Sequence, residues 1–341
     1  MRDYLENLPK ELKDLIHLCR DIASQQQVRA YLVGGFVRDL LLGAENLDLD
    51  IAVEGDAIKF AAEFARCLKA QVIRHRQFGT ATVKSEAMGK IDFATARKEV
   101  YPAPAQLPEV SRGSLKDDLF RRDFTINCLA ISISRDDFGS LIDFFGGKTD
   151  LERKKIRVLH GLSFQDDPMR VLRAIRFEQR YHFRIEPFTL RKLKEAVKSG
   201  MLDKTGPHRL RDELILILKE RKPLQGLKRL DELAGLSFIS PGLKFSVNAQ
   251  KLLRAVEKEI AWFKDNFPRR RPLDSWLIYF LVLLDSLSLG AAGRVCAKFA
   301  FRRGEEKRIL CYKKNNRKFI SDLKKYRAKP AKIFALLEPL S

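Results

Sequence analysis

Residues 30–53 leave this chain few options. The apolar run Ala30-Tyr31-Leu32-Val33 is short enough for one strand, Gly34-Gly35 breaks it, and Phe36 to Leu42 follows with helical spacing that stops at Gly43. After a polar turn at Glu45-Asn46, the segment from Leu47 to Val53 alternates with period two. Leu47, Leu49, Ile51 and Val53 therefore share one face, and Asp48 and Asp50 share the other. Asp is a poor strand former, so two at successive outward positions call for an offsetting gain. Side-by-side carboxylates on a rigid strand suit a pair of divalent cations roughly 3.5–4 Å apart, the arrangement for in-line phosphoryl displacement. A half-buried strand with a solvated acidic face fits the same letters. The double glycine tips the balance, because it lets backbone N–H groups approach a phosphate at the positive end of a helix. Arg38 falls in the first turn of that helix, a poor place for a cation unless an anion lies nearby. No P-loop and no dinucleotide fingerprint is present.

Further along, Ala57 to Leu68 carries apolar residues at helical spacing, and Val72-Ile73, Thr80 to Val83 and Lys90 to Ala94 read as short strands. Asp92 on the last of these is either a third carboxylate near the metals or a salt-bridged edge residue. Pro102 to Arg112 contains three prolines and is expected to be an irregular surface loop. In Arg121-Arg122-Asp123-Phe124-Thr125-Ile126-Asn127, guanidinium forks suit phosphate, while Asp123 and Asn127 suit a ribose hydroxyl. A charged helix start accommodates the same residues.

Pro168 suits a first helical turn with Asp166 or Asp167 as cap. Asp167, Arg170, Arg173 and Arg176 then recur every third residue. Neighbours at i and i+3 share a helix face, so Asp167 and Arg170 can present an acceptor beside a donor, matching the Watson–Crick edge of adenine or cytosine. Arg173 and Arg176 would point at phosphates. A helix laced with ion pairs is the other reading of this spacing.

Composition narrows the class. With 341 residues the chain is long enough for more than one domain, and a net charge of +21 with a pI near 9.8 suits a polyanionic partner. The five cysteines form no C-x-x-C and the histidines no ligand cluster, which suits a reducing cytosol and argues against structural zinc. No signal peptide is visible, and the most apolar run, Trp276 to Leu284, is too short to span a bilayer. A soluble, cytoplasmic protein is expected. Residues 301–341 hold 13 Lys or Arg against 4 Asp or Glu with aromatics interleaved, a composition that suits contacts to an RNA backbone.

LVGGFVRDLLLG followed by DLDIAV resembles the head of the polymerase-β-like nucleotidyltransferases, and specifically the tRNA nucleotidyltransferase and bacterial poly(A) polymerase family. RRDFTIN resembles the second signature of that family, with Cys128 where a small Ala is usual. LIDFFGGKTDL resembles its hinge, with Gly146-Gly147 as the pivot. DPMRVLRAIRF resembles its base-reading motif, with Asp166 in place of the usual Glu. TGPHRLRDEL resembles its neck, where His208 replaces a more common acidic residue.

The resemblance implies an α+β protein with a mixed-sheet head over residues 1–150. A helical neck over 151–220 would read the incoming nucleotide, and a helical body and tail over 221–341 would hold RNA. Asp48 and Asp50 would bind two Mg²⁺, with Asp92 the third catalytic candidate. Gly34, Gly35, Arg38, Arg122, Asp123, Asn127, Asp167, Arg170, Arg173 and Arg176 would hold ATP. The Pro-rich stretch after Ala96, where CCA- and CC-adding members carry a flexible loop, resembles the A-adding subgroup. That subgroup completes tRNA ending in CC and works beside a separate CC-adding enzyme. A CCA-adding enzyme, a poly(A) polymerase and an inactive RNA-binding scaffold are the alternatives.

Overall fold

The computed structural model describes residues 5–44, 48–85 and 89–325. The expected turn at Glu45-Asn46, Leu47 and the tail beyond residue 325 lie outside them. Contacts divide the chain into two units. One holds Met1–Asp167 with Tyr181–Lys192, and the other holds Pro168–Arg180 with Leu193–Ser341.

The first unit is built on α1 (Lys10–Gln26), β1 (Arg29–Val33), α2 (Gly35–Leu41), β2 (Leu49–Glu54), α3 (Ala57–Leu68), β3 (Gln71–His75), β4 (Thr80–Ser85) and β5 (Gly89–Thr95). A two-stranded hairpin follows, β6 (Arg97–Val100) with β7 (Glu109–Arg112), then α4 (Leu115–Phe120), β8 (Leu129–Ser132), β9 (Leu141–Asp143) and α5 (Gly147–Glu152). The main sheet has seven strands in the order β3-β4-β5-β2-β1-β8-β9. Only the β2–β5 pair within it is parallel among the described strands, so the sheet is mixed, as expected.

Each face of the sheet is covered for a reason visible in the sequence. The alternation of β2 sends Leu49, Ile51 and Val53 into a core with α1 and α3, where Phe60 and Phe64 pack on Phe93 with ring centroids 5.7 and 5.1 Å apart. Asp56 caps α3 by accepting from the Ile58 and Lys59 amides at 2.9 and 3.0 Å. On the other face Tyr31, Val33 and Ala52 pack under Leu115 and Leu119 of α4 and against Cys128. The acidic face of β2 is therefore not solvated along its length: Ala52 is buried, and Asp50 is only partly open.

The Pro-rich stretch departs from the expected loop. It is irregular as far as Pro108, but Glu109–Arg112 pairs antiparallel with Arg97–Val100. All three prolines fall in the connection, so none removes a donor from β7.

A short parallel pair, β10 (Lys155–Ile156) and β11 (Arg184–Ile185), and the single-turn α6 (Ser163–Asp166) complete the first unit. The second unit is helical: α7 (Met169–Tyr181), the later part of α8 (Pro187–Lys198), α9 (Pro207–Lys219), α10 (Pro223–Ala234), α11 (Val247–Asn266), α12 (Ser275–Leu283), α13 (Leu289–Phe299) and α14 (Arg303–Lys325). The apolar α12 is its core rod, burying Trp276, Leu277, Tyr279, Phe280, Val282 and Leu283. No described helix is long and apolar enough to cross a membrane.

Part of the basic tail is engaged within the chain. Lys313 donates to the Leu284 and Asp285 carbonyls at 3.2 and 2.7 Å, Tyr312 donates to Asp285, and Arg308 pairs with Asp274 at 2.6 Å. These three groups of α14 close the C-terminal end of α12 and the turn before it.

Candidate active site

Asp48 and Asp50 arrive at the site through β2: Asp48 is exposed just before the strand, and Asp50 is partly buried within it. The parallel register sets Asp50 opposite Asp92 on β5. Asp92 accepts from the Thr82 hydroxyl at 2.7 Å and pairs with Lys90 at 2.5 Å, so it is both salt-bridged and a neighbour of Asp50. Burial pushes the Asp50 carboxyl up to about 6; Arg122 opposes that rise, and the Asp92 and Asp48 charges add to it. Among the described residues no group of three His, Cys, Asp or Glu side chains is close enough to hold a metal ion. Magnesium needs only one or two protein carboxylates, with water and substrate phosphates supplying the rest. A carboxyl strained by neighbouring negative charge is a place where an added cation is favourable, so the donor set fits.

Arg122 is built into this face. Asp118, 1 % exposed, binds Arg121 at 2.6 Å and Arg122 at 3.0 Å from one turn earlier on α4. Burial pushes the Asp118 carboxyl up, but Arg122 and Arg121 outweigh it and hold it below the usual range. The Arg122 Nε is buried without a hydrogen-bond partner among the described residues. A guanidinium edge left unsatisfied at such a site is a donor in want of an acceptor.

Gly34 explains how Arg122 fits. Its φ of +65° is one that L side chains rarely adopt, and an added Cβ would fall 2.2 Å from Arg122 Nη1. Its amide already donates to the Leu129 carbonyl at 3.1 Å. The glycine is thus required for conformation and for the close approach of Arg122. Gly34→Ala should cost about 1–3 kcal/mol of stability from backbone strain and displace the Arg122 guanidinium. Chemical denaturation measures the first effect and ATP affinity the second; unchanged values for both would refute this packing.

Arg38, Asn127 and Asp123 form a closed relay. Arg38 pairs with Asp39 at 2.7 Å, donates to Asn127 Oδ1 at 2.5 Å and lies over the Tyr181 ring at 4.8 Å. Asn127 in turn donates to Asp123 Oδ1 at 2.8 Å, and Tyr181 donates to Asp39 at 3.3 Å. The anion expected beside Arg38 is therefore supplied within the chain by Asp39. Gly35, at the start of α2, lies 3.5 Å from Arg38 Nη2 when a Cβ is built on it. Gly146 and Gly147 lie inside the first unit. Gly147 sits where a Cβ would meet the Thr125 carbonyl at 2.2 Å, and Asp143 accepts from its amide at 2.8 Å.

On α7 the ion-paired arrangement is the one found for Arg173 and Arg176. Glu213 of α9 takes Arg173 at 3.0 Å and Arg176 at 3.1 Å, and Glu220 lies 3.6 Å from Arg176. Arg173 keeps 32% of its side chain exposed beside Glu213, while Arg176 keeps 7%. Arg170 is 3 % exposed, Asp167 precedes Pro168 in an extended conformation, and His208 is exposed. Asp166 lies 3.8 Å from His160. Of the partners that sequence reading missed, Asp118 was within reach, because it precedes Arg121 and Arg122 by three and four helical positions. Asp39 was equally within reach as the residue after Arg38, whereas Tyr181 and Glu213 carried no such local signal.

A mixed sheet that sets strand carboxylates beside a buried arginine, joined to a helical unit, defines a nucleotidyltransferase-type head. Residues 30–157 match the poly A polymerase head domain, and residues 182–246 match the probable RNA and SrmB-binding site of polymerase A. The chain is 46% identical over 297 residues to the A-adding tRNA nucleotidyltransferase of Geobacter sulfurreducens, covering 83% of this chain and 34% of that protein. It therefore spans about a third of the length of that curated relative. A solved CCA-adding enzyme in its apo form superposes with a TM-score of 0.84 at 39% identity, covering 98% of this chain and 78% of the other. A tRNA nucleotidyltransferase solved with a primer tRNA and an incoming ATP analogue gives a TM-score of 0.80 at 38% identity, over 94% of this chain and 91% of that one. The chain belongs to the family of tRNA nucleotidyltransferases and poly(A) polymerases.

Proposed function

We propose that this chain adds a single AMP from ATP to the 3′ end of tRNA already ending in CC. The observation that carries the reaction class is the Asp50–Asp92 register beside Arg122, which gathers carboxylates and a guanidinium on one sheet face. Asp48 and Asp50 would hold Mg²⁺, which when bound supplies charge neutralisation and an activated hydroxyl for in-line displacement. Arg122, fixed by Asp118 and with 20% of its side chain exposed, presents its guanidinium to the triphosphate. Asp123 and Asn127 orient the sugar, with Arg38 holding the Asn127 amide in one orientation. Asp167 accepts from the exocyclic amine of the base, and Arg170 faces its ring nitrogen. Arg173 and Arg176, held by Glu213, brace that helix.

Adenine specificity is supported by the likeness to the A-adding relative and by the β6–β7 hairpin in the stretch where a flexible loop was the alternative. A paired hairpin has less freedom than a loop to reshape a pocket between two bases. The substrate implies a cytoplasmic protein working after a separate CC-adding enzyme.

The test supplies tRNAs ending before CCA, after C and after CC, each with ATP or CTP alone. One A on the CC end and little or no C on the shorter ends is the expected result. A complete CCA end would replace this reading with the CCA-adding one, and long adenine tracts on unrelated RNA would replace it with poly(A) synthesis. Absence of any metal-dependent label transfer would leave an RNA-binding scaffold.

A further inference from the structure

The chain's positive charge is not distributed evenly between paired and open sites. On α14 it is partly neutralised by the carbonyls and carboxylates at the end of α12, whereas the elbow between α11 and α12 leaves its cations open. Arg269, Arg270 and Arg271 are all exposed, and no ion pair engages any of them among the described residues. Three consecutive unpaired arginines repel one another, a cost that a polyanion would reverse.

Beside them stands an aromatic cluster with no place in the core. Trp262 is 54% exposed and Phe267 42%; their rings meet edge-on at 5.7 Å, and Phe263 backs Phe267 at 5.4 Å. The turn is held by its own bonds. The Phe267 amide donates to the Phe263 carbonyl at 2.9 Å, the Arg270 amide donates to Phe267 at 3.1 Å, and Asn266 donates to Trp262 at 2.8 Å. Pro268 and Pro272 stiffen it further. An open recess of about 480 Å³ lies against Phe267, Arg269 and Arg270, and another of about 480 Å³ is lined by Arg271 and Arg308.

We propose that this elbow is a docking site for RNA, with an unpaired base stacking on Trp262 and Phe267 and phosphates lying along Arg269, Arg270 and Arg271. Guanidinium forks match phosphate geometry, and an exposed aromatic face accepts any base. The inference rests on the reading of the chain as an enzyme that extends RNA. It places RNA capture at a segment where the sequence showed no motif, outside the matched residues 182–246.

Equilibrium binding of tRNA without ATP, titrated against salt, tests the site independently of catalysis. Replacing Arg269, Arg270 and Arg271 together with Ala should lower the log–log salt slope by about 2, and replacement with Lys should restore most of it. Trp262 is exposed while Trp276 is only 8% exposed, so tRNA should quench the intrinsic fluorescence of the wild type but not of Trp262→Ala. Trp262→Ala should also bind about tenfold to a hundredfold more weakly. In the transfer assay, both variants should raise the KM for tRNA and leave kcat unchanged. An unchanged slope with no quench overturns the site, as does loss of anionic-vesicle binding in the arginine variant with its RNA slope intact. If wild type binds with the expected slope and quench yet transfers no AMP, the docking site stands and the proposed reaction fails.

Discussion

Asp50→Asn will abolish nucleotide transfer and raise the melting temperature measured in metal-free buffer at neutral pH. The two effects share one cause. Burial and the nearby Asp92 and Asp48 charges lift the Asp50 carboxyl to about 6, against an ordinary value of 3.8, despite the opposing pull of Arg122. Its folded pKa lies above its unfolded one, so the folded state binds more protons between those values. Stability contributed by this group is therefore lost as pH rises from about 4 to about 6, and the penalty is complete at neutrality. A rise of that size corresponds to on the order of 2–3 kcal/mol, which the neutral amide removes. A cation bound at Asp50 offsets the same penalty, so the wild type should gain stability from Mg²⁺ and Asp50→Asn should not. Thermal melts with and without metal at pH 5 and 7.5, beside a transfer assay, check the argument. Near-normal transfer by the variant would remove Asp50 from the site.

Glu213→Ala should destabilise the helical unit by about 3–5 kcal/mol. One carboxylate, 9 % exposed, satisfies both Arg173 and the buried Arg176, and its loss leaves two guanidiniums with less compensation than burial demands. Glu220, at 3.6 Å from Arg176, recovers part of the loss. Glu213→Gln keeps the shape and part of the hydrogen bonding, so it should fall between the two. Urea unfolding gives the order directly; equal stability of Ala variant and wild type would mean the ion-pair network is not formed in solution.

Local pattern carried a good part of this protein. The step from Val33 through Gly34 to α2, the alternation of β2 and the helix Ala57–Leu68 emerged close to where periodicity put them. Each depends on neighbours a few residues away. The hairpin at 97–112 did not emerge, because counting prolines says where a strand cannot donate but not where the chain between them resumes pairing. Likewise, residues 262–271 carry no motif, and only the fold leaves their aromatics uncovered.

By itself the sequence determined which side chains share a face: Asp48 and Asp50 along one extended segment, and Arg173 and Arg176 along one helix. Backbone geometry fixes those spacings wherever a strand or helix forms. Tertiary structure alone decided what each charge meets. The parallel pairing of β2 with β5 brought Asp92 to Asp50, the approach of β1 to α4 seated Arg122 against Gly34, and the packing of α9 on α7 gave Glu213 to two arginines. Such partners lie far apart along the chain, and the register that joins them is set by the burial of whole faces, which no short stretch of sequence contains.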